Sequence, residues 1–142
     1  MAERTRIVLK SGKDQSLRRF HPWVFSGAIK KIYGPAREGE VVDLYDNKDE
    51  FLACGQYQDG SIAVRVLSFS QVEVDQAFWD ERIASAWQLR EKLGLVSDPG
   101  TNVFRWVNAE GDGLPGLIID YYDGAAVIQM HSVGMFRNLE AI

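Results

Sequence analysis

The sequence predicts an α+β chain that is mostly β: a small barrel or pseudobarrel, a helix, and then the start of a second α+β unit carrying a β-hairpin. Three observations carry this. Short apolar runs separated by turn-forming residues fill roughly the first 70 positions. One stretch, 75–93, has helical spacing with a stop or start signal at each end. Beyond it, β-like runs resume and Asp123-Gly124 marks a hairpin.

Thr5–Lys10 reads as the first strand and Gly12 breaks it. Asp14–Phe20 has room for one or two helical turns with Asp14 as N-cap, and His21-Pro22 stops them, because the residue before proline is pushed out of the α region. Trp23–Ile29 resumes a strand and Gly34-Pro35 turns the chain. Glu40–Tyr45, Phe51–Tyr57 and Ile62–Leu67 follow as β runs, separated by Asp46-Asn47-Lys48-Asp49 and Asp59-Gly60. Five short strands and one helical turn in so short a span suit a small barrel or pseudobarrel.

Residues 71–74 read as a boundary. Asp75 caps a helix to Leu93 on which Trp79, Ile83, Ala86 and Leu93 share a face. Asp80 and Glu81 fall in its first turn, Arg90 and Lys92 in its last, and Gly94 sits where a C′ glycine belongs. After the loop Ser97–Thr101, Phe104–Asn108 is a strand, Glu110–Gly116 a tight loop, and Leu117–Tyr121 and Ala125–Met130 the arms of the hairpin. Met135, Leu139 and Ile142 are spaced to begin an amphipathic helix that the chain leaves unfinished, so the expectation is a portion of a longer polypeptide. The predicted organisation is a domain over 1–70, a linking helix and loop over 71–97, and the truncated beginning of a second domain over 98–142.

Composition is that of a soluble globular protein, 46% hydrophobic and 25% charged. No apolar run reaches the length of a membrane span, and no signal peptide precedes the first strand. The single cysteine, Cys54, excludes an internal disulfide and fits a reducing cytoplasm. The net charge of -4 hides an asymmetry: residues 1–37 carry nine Lys/Arg against two acids, and the other 105 carry seven against eighteen. A basic segment on an acidic protein is the charge pattern of a nucleic-acid contact, unless it is only a solvated face.

Catalytic chemistry finds little footing. Cys54 lies mid-strand in an apolar run and reads as a small core residue. His21 and His131 are far apart, no Cys/His cluster supports a metal, and His131 reads as a strand-end residue. The glycines of Glu110–Gly116 lead into a strand, whereas a dinucleotide loop opens a helix. Asn108, Glu110 and Asp112 there are either turn chemistry or a contact to a substrate or another domain.

The basic segment offers more. Lys10, Lys13, Arg18 and Arg19 flank one helical turn whose amides could meet a phosphate, and Lys30 and Lys31 end the next strand. Phe20, His21 and Trp23 place rings among them, the mixture that binds single-stranded RNA. Trp23 and Phe25 are read as alternate inward residues of a strand, so the cations rather than the rings are expected to carry function.

Lys10-x-Gly12, Arg18, His21-Pro-Trp-Val-Phe-Ser-Gly27 and Ile62-x-Val-Arg-Val-Leu67 resemble the N-terminal PUA domain of the 23S rRNA 5-methylcytosine methyltransferases, which are class I enzymes dependent on S-adenosylmethionine. The resemblance continues through the helix 78–93, through Val107–Asp120 and into His131-Ser-Val-Gly-Met135. It implies a PUA-type pseudobarrel, a linking helix and the start of an α+β central domain. It further implies RNA, ribosomal in origin, as the partner, and the basic segment read above supplies the residues expected to bind it: Lys10, Lys13, Arg18, Arg19, His21, Lys30 and Lys31. In that family a thiolate adds to C6 of the cytosine and activates C5 toward the methyl group. The cofactor site and catalytic cysteine lie in a C-terminal Rossmann-like domain that has no counterpart among these residues. Cys54 does not match that cysteine. The expectation is therefore an inactive RNA-binding portion with no cofactor or metal of its own, a partner in the missing methyltransferase domain, and no membrane association. A protein-interaction barrel without an RNA role, and the PUA module of another RNA-modifying enzyme, are the alternatives.

Overall fold

The computed structural model describes residues 3–142. The chain divides into two compact units, Met1–Glu73 and Val74–Ile142.

The first unit is a curled six-stranded sheet. Its strands are β1 (Arg6–Leu9), β2 (Trp23–Phe25), β3 (Ile29–Tyr33), β4 (Val41–Tyr45), β5 (Phe51–Tyr57) and β6 (Ile62–Ser68), in the spatial order β2-β6-β5-β4-β1-β3. Among the described residues only β1 and β4 pair in parallel. The two edge strands, β2 and β3, follow one another in the chain across a three-residue 3-10 turn, Ser26–Ala28. The sheet must therefore curl until its edges lie near one another, which makes a pseudobarrel. The run expected as one strand over Trp23–Ile29 is thus two strands on opposite edges. Ile7, Leu9, Leu17, Val24, Val42, Leu44, Val64 and Val66 fill the interior.

The helical turn α1 (Gln15–Arg18) buries Leu17 in this core. Asp14 precedes it but makes no side-chain cap; its carboxylate instead accepts from Arg18 four residues on. The stop comes two residues before proline. His21 N–H donates to the Ser16 carbonyl and Phe20 N–H to that of Leu17, with Phe20 at φ 65°. That is a Schellman ending with phenylalanine where glycine is usual.

The second unit sets α2 (Gln76–Lys92) on a three-stranded antiparallel sheet of β7 (Val103–Asn108), β8 (Leu117–Tyr122) and β9 (Ala125–Met130). Asp75 caps α2 as expected, its carboxylate accepting from Phe78 N–H. The helix starts early enough that Asp80 and Glu81 fall outside its first turn. Its buried face is Phe78, Trp79, Ala86 and Arg90, whereas Leu93 is exposed. Arg90 replaces leucine there because each of its three guanidinium nitrogens finds an acceptor inside the unit, as described below. Asp123 and Gly124, at φ 43° and 92°, form the hairpin turn. The final helix α3 (Val133–Arg137) is capped by Ser132 and anchored by Met135, while Leu139 lies half exposed beyond it.

Gly55 on β5 faces the backbone of β6 so closely that a Cβ would collide with the Arg65 carbonyl. Gly55→Ala is expected to destabilise the fold by about 1–3 kcal/mol. Gly27→Ala, with open space around it, is expected to stay within about 0.5 kcal/mol; urea unfolding of both variants checks this.

Candidate nucleic-acid interface

Strand parity decides what the basic segment presents. On β2 it is Val24 that enters the core, paired with Val64 of β6. Trp23 and Phe25 therefore turn to the outer face, contrary to the expectation that they are core. Phe25 is 49% exposed and Trp23 is half-buried. His21 joins them, its ring centre 6.0 Å from Trp23 and 6.4 Å from Phe25, with Trp23 and Phe25 nearly perpendicular at 6.4 Å. The Trp23 backbone N–H donates to Nδ1 of His21, which fixes that ring's direction. Phe20 projects nearby in the sequence at 71% exposure, with its edge against Phe69.

The cations fall into two groups. Lys10, Lys13 and Arg19 are exposed, and among the described residues they form no ion pair. Lys30 is exposed and its ammonium donates to the Asn47 side-chain carbonyl at 3.0 Å; Lys31 is exposed and lies 4.6 Å from the Tyr33 ring centre. Arg18 differs. Its guanidinium meets Asp14 at 2.6 Å, Asp46 at 2.7 Å and Glu50 at 3.2 Å. Hydrogen bonds to Asp14 and Glu50 push its pKa up, and the cation is held by three carboxylates. Arg18 ties α1 to the β4–β5 turn and has no charge to spare for a phosphate. Nor does α1 offer an anion site: it is a single turn with the Asp14 carboxylate at its start.

Asp46 is the anchor of that turn. It is 6% exposed, and its Oδ1 accepts the backbone N–H groups of Lys48 and Glu50. The hydrogen bond from Glu50 N–H, then that from Lys48 and the Arg18 charge, hold its carboxyl below the usual aspartate range.

The loop over 110–116 is a structural corner. Asp112 turns inward, its side chain 6% exposed, and takes a bidentate pair from Arg90 at 2.6 and 2.9 Å. Its Oδ2 also accepts the Asn108 backbone N–H. Arg90 donates further to the Arg105 carbonyl, and Arg82 to that of Gly113. Leu114 and Pro115 are fully buried. Asp112 is thus spent on the fold and is not offered to a substrate. Asn108 stays exposed, and Glu110 is half-buried and already engaged.

Burial pushes the Cys54 thiol up, and its Sγ faces the Ser70 carbonyl, so it is a core residue and no nucleophile. His131 follows β9, its N–H donating to the Gly116 carbonyl. Among the described residues no group of three or more His, Cys, Asp or Glu is placed to hold a metal ion, and no helix is long and apolar enough to cross a membrane. A cleft of about 580 Å³ runs along α2 past Trp87, Trp106 and Tyr121 in the second unit. It is mainly apolar, and the only carboxylates on its lining, Asp80 and Glu91, sit eleven positions apart on the helix.

Sequence reasoning missed Trp23 and Phe25 as surface residues, and with them Arg6 and Tyr33. The signal for the rings was present: Val24 is the smaller, β-branched residue between two large aromatics, and either parity fits an alternating strand.

A curled six-stranded sheet with one helical turn plugging it gives the first unit the architecture of the PUA-like class. Residues 7–69 match the PUA-like domain family. Over nearly its whole length the chain is similar to proteins named Ribosomal RNA large subunit methyltransferase I. It is 43% identical to the protein of that name from Alteromonas mediterranea, over 96% of this chain and 34% of the relative. It is 41% identical to that from Pseudoalteromonas atlantica, over 97% of this chain and 35% of the relative. The chain therefore spans about a third of the length of these relatives. A Streptococcus mutans protein assigned as a SAM-dependent methyltransferase shares the fold with a TM-score of 0.81 at 19% identity, over 96% of this chain and 35% of that one.

Two outcomes are expected. Asp46→Asn removes a carboxylate whose pKa is lower folded than unfolded, so its stabilisation is present above the unfolded value, about 3.9, and is lost as pH falls through the folded value. The variant's melting temperature should therefore fall less steeply than that of the parent on acidification below about pH 4. Asp112→Ala strands Arg90 and should cost about 3–5 kcal/mol in the second unit by chemical unfolding.

Proposed function

We propose that this chain is the RNA-docking portion of a SAM-dependent ribosomal RNA methyltransferase acting at C5 of cytosine in the cytoplasm. One observation carries the RNA role. In the first unit the large hydrophobics exposed among the described residues are Phe20, Phe25 and Tyr33. All three are aromatic, and all fall between positions 20 and 33, beside His21, Trp23 and the cations Lys10, Lys13, Arg19, Lys30 and Lys31. A solvated basic face needs no rings, and a protein-docking face needs no concentration of lysine. Bases stack on aromatic faces while a cationic track meets the phosphates. His21 serves as one ring of the platform.

The methyl transfer would be carried by parts of such a protein that this chain does not span. Among the described residues the Gly-rich passage 110–116 runs into β8 and is packed shut by Leu114 and Pro115, so it fits no S-adenosylmethionine cradle. The partner of this chain in the whole protein is then its methyltransferase domain.

Fluorescence anisotropy with a labelled ribosomal RNA hairpin, titrated across a salt series, tests the RNA role. Affinity should fall steeply with salt, and Lys13→Ala or Arg19→Ala should each flatten the log–log slope by about 0.7. Arg18→Gln should leave the slope unchanged, because that charge is already matched. Phe25→Ala should weaken binding by roughly 5-fold to 100-fold at unchanged slope. Absence of binding at low salt would refute the RNA role.

A further inference from the structure

We propose that the outer face of β1 and β3 is a second nucleotide station, where an unpaired base of single-stranded RNA stacks on Tyr33 and the guanidinium plane of Arg6. The inference rests on the RNA reading above and extends it to residues outside the predicted set.

The register assembles the station. Arg6 pairs with Tyr33 and Val8 with Lys31 across β1 and β3, and Val8 pairs with Tyr45 of β4. Ile7 and Ile32, one residue out of phase, face the core side. Arg6, Val8, Lys31, Tyr33 and Tyr45 therefore share one face, on which Val8 is buried while Lys31 and Tyr33 are exposed. The Arg6 guanidinium carbon lies 4.3 Å from the Tyr45 ring centre and 5.9 Å from that of Tyr33. Tyr45 is braced by an edge contact to Phe51 at 5.8 Å. One edge of the guanidinium is tied to Asp49 at 3.1 Å, while its Nε is buried without a hydrogen-bond partner. An arginine so tethered and stacked is a preformed flat cation, and bases stack on guanidinium planes as they do on rings.

Tyr33 is 50% exposed. The Lys31 ammonium near its ring is exposed and weakly held, so it can move to a phosphate as a base takes the ring. The station also continues the interface already described, since one short run of chain carries His21 just before β2, Trp23 and Phe25 on β2, then Lys30, Lys31 and Tyr33 on β3. Lysines on an edge strand also discourage strand pairing. That accounts for Lys30 and Lys31, but not for an exposed tyrosine beside a stacked arginine.

Anisotropy with 5′-labelled dodecauridylate at low salt provides the test, using the whole chain and confirming the fold by circular dichroism. Tyr33→Ala should lose about 5-fold or more in affinity, whereas Tyr33→Phe keeps it because the ring remains. Lys31→Ala should flatten the salt slope by about 0.7. If Phe25→Ala weakens binding and Tyr33→Ala does not, the second station is overturned and the RNA reading stands. If Tyr33→Phe loses as much as Tyr33→Ala, stacking is overturned. If the parent chain binds no dodecauridylate, both readings fall, and a protein partner is left for this face.

Discussion

The first unit depends on a single choice of strand parity. Val24 enters the core at 4% exposure, opposite Val64, and every other residue of the segment is assigned by that choice. With Val24 inward, Trp23 and Phe25 must point outward, because successive side chains on a strand alternate. The opposite parity would put two large aromatics into a small core now closed by valines, isoleucine and leucines, and overpacking of that size is strongly unfavourable. The core thus excludes the rings on grounds of volume, and what it excludes becomes the surface on which a nucleic acid can stack.

Charge is partitioned by the same economy. Arg18 and Arg90 are both held by carboxylates, one by Asp14, Asp46 and Glu50, the other by Asp112. Each ties a helical element to a turn: α1 to the β4–β5 turn, and α2 to the corner after β7. Both turns are rich in small and acidic residues that a linear reading leaves ambiguous between structure and function. Geometry ties Arg18, Asp46, Arg90 and Asp112 into the fold, and leaves Lys10, Lys13, Arg19, Lys30 and Lys31 as cations directed to solvent.

Much of the fold was legible. The runs over 41–45, 51–57 and 62–68, the helix capped by Asp75 and the hairpin at Asp123-Gly124 follow from turn chemistry and period, which are local properties. What was not legible depended on distant neighbours. The break of Trp23–Ile29 falls at Ser26-Gly27, a turn signal inside an otherwise apolar run, but the placing of its two halves on opposite edges is set by the curl of the sheet. The loss of the Asp14 cap reflects competition from Arg18. Burial of Arg90 in place of Leu93 depends on Asp112 and the Arg105 carbonyl, fifteen or more positions away. For the site, the cationic residue types and their segment could be read directly. Which cations are neutralised, and which way the rings face, could not, because both are settled by partners on other strands.

The central claim is that residues 20–33 form an outward stacking platform for single-stranded RNA. The most direct measurement is photocrosslinking of the chain to an RNA carrying 4-thiouridine, with the adducts mapped by mass spectrometry. The account predicts adducts concentrated on Phe20, His21, Trp23, Phe25 and Tyr33. Adducts concentrated instead on the second unit, or none above a non-binding control protein, would contradict it.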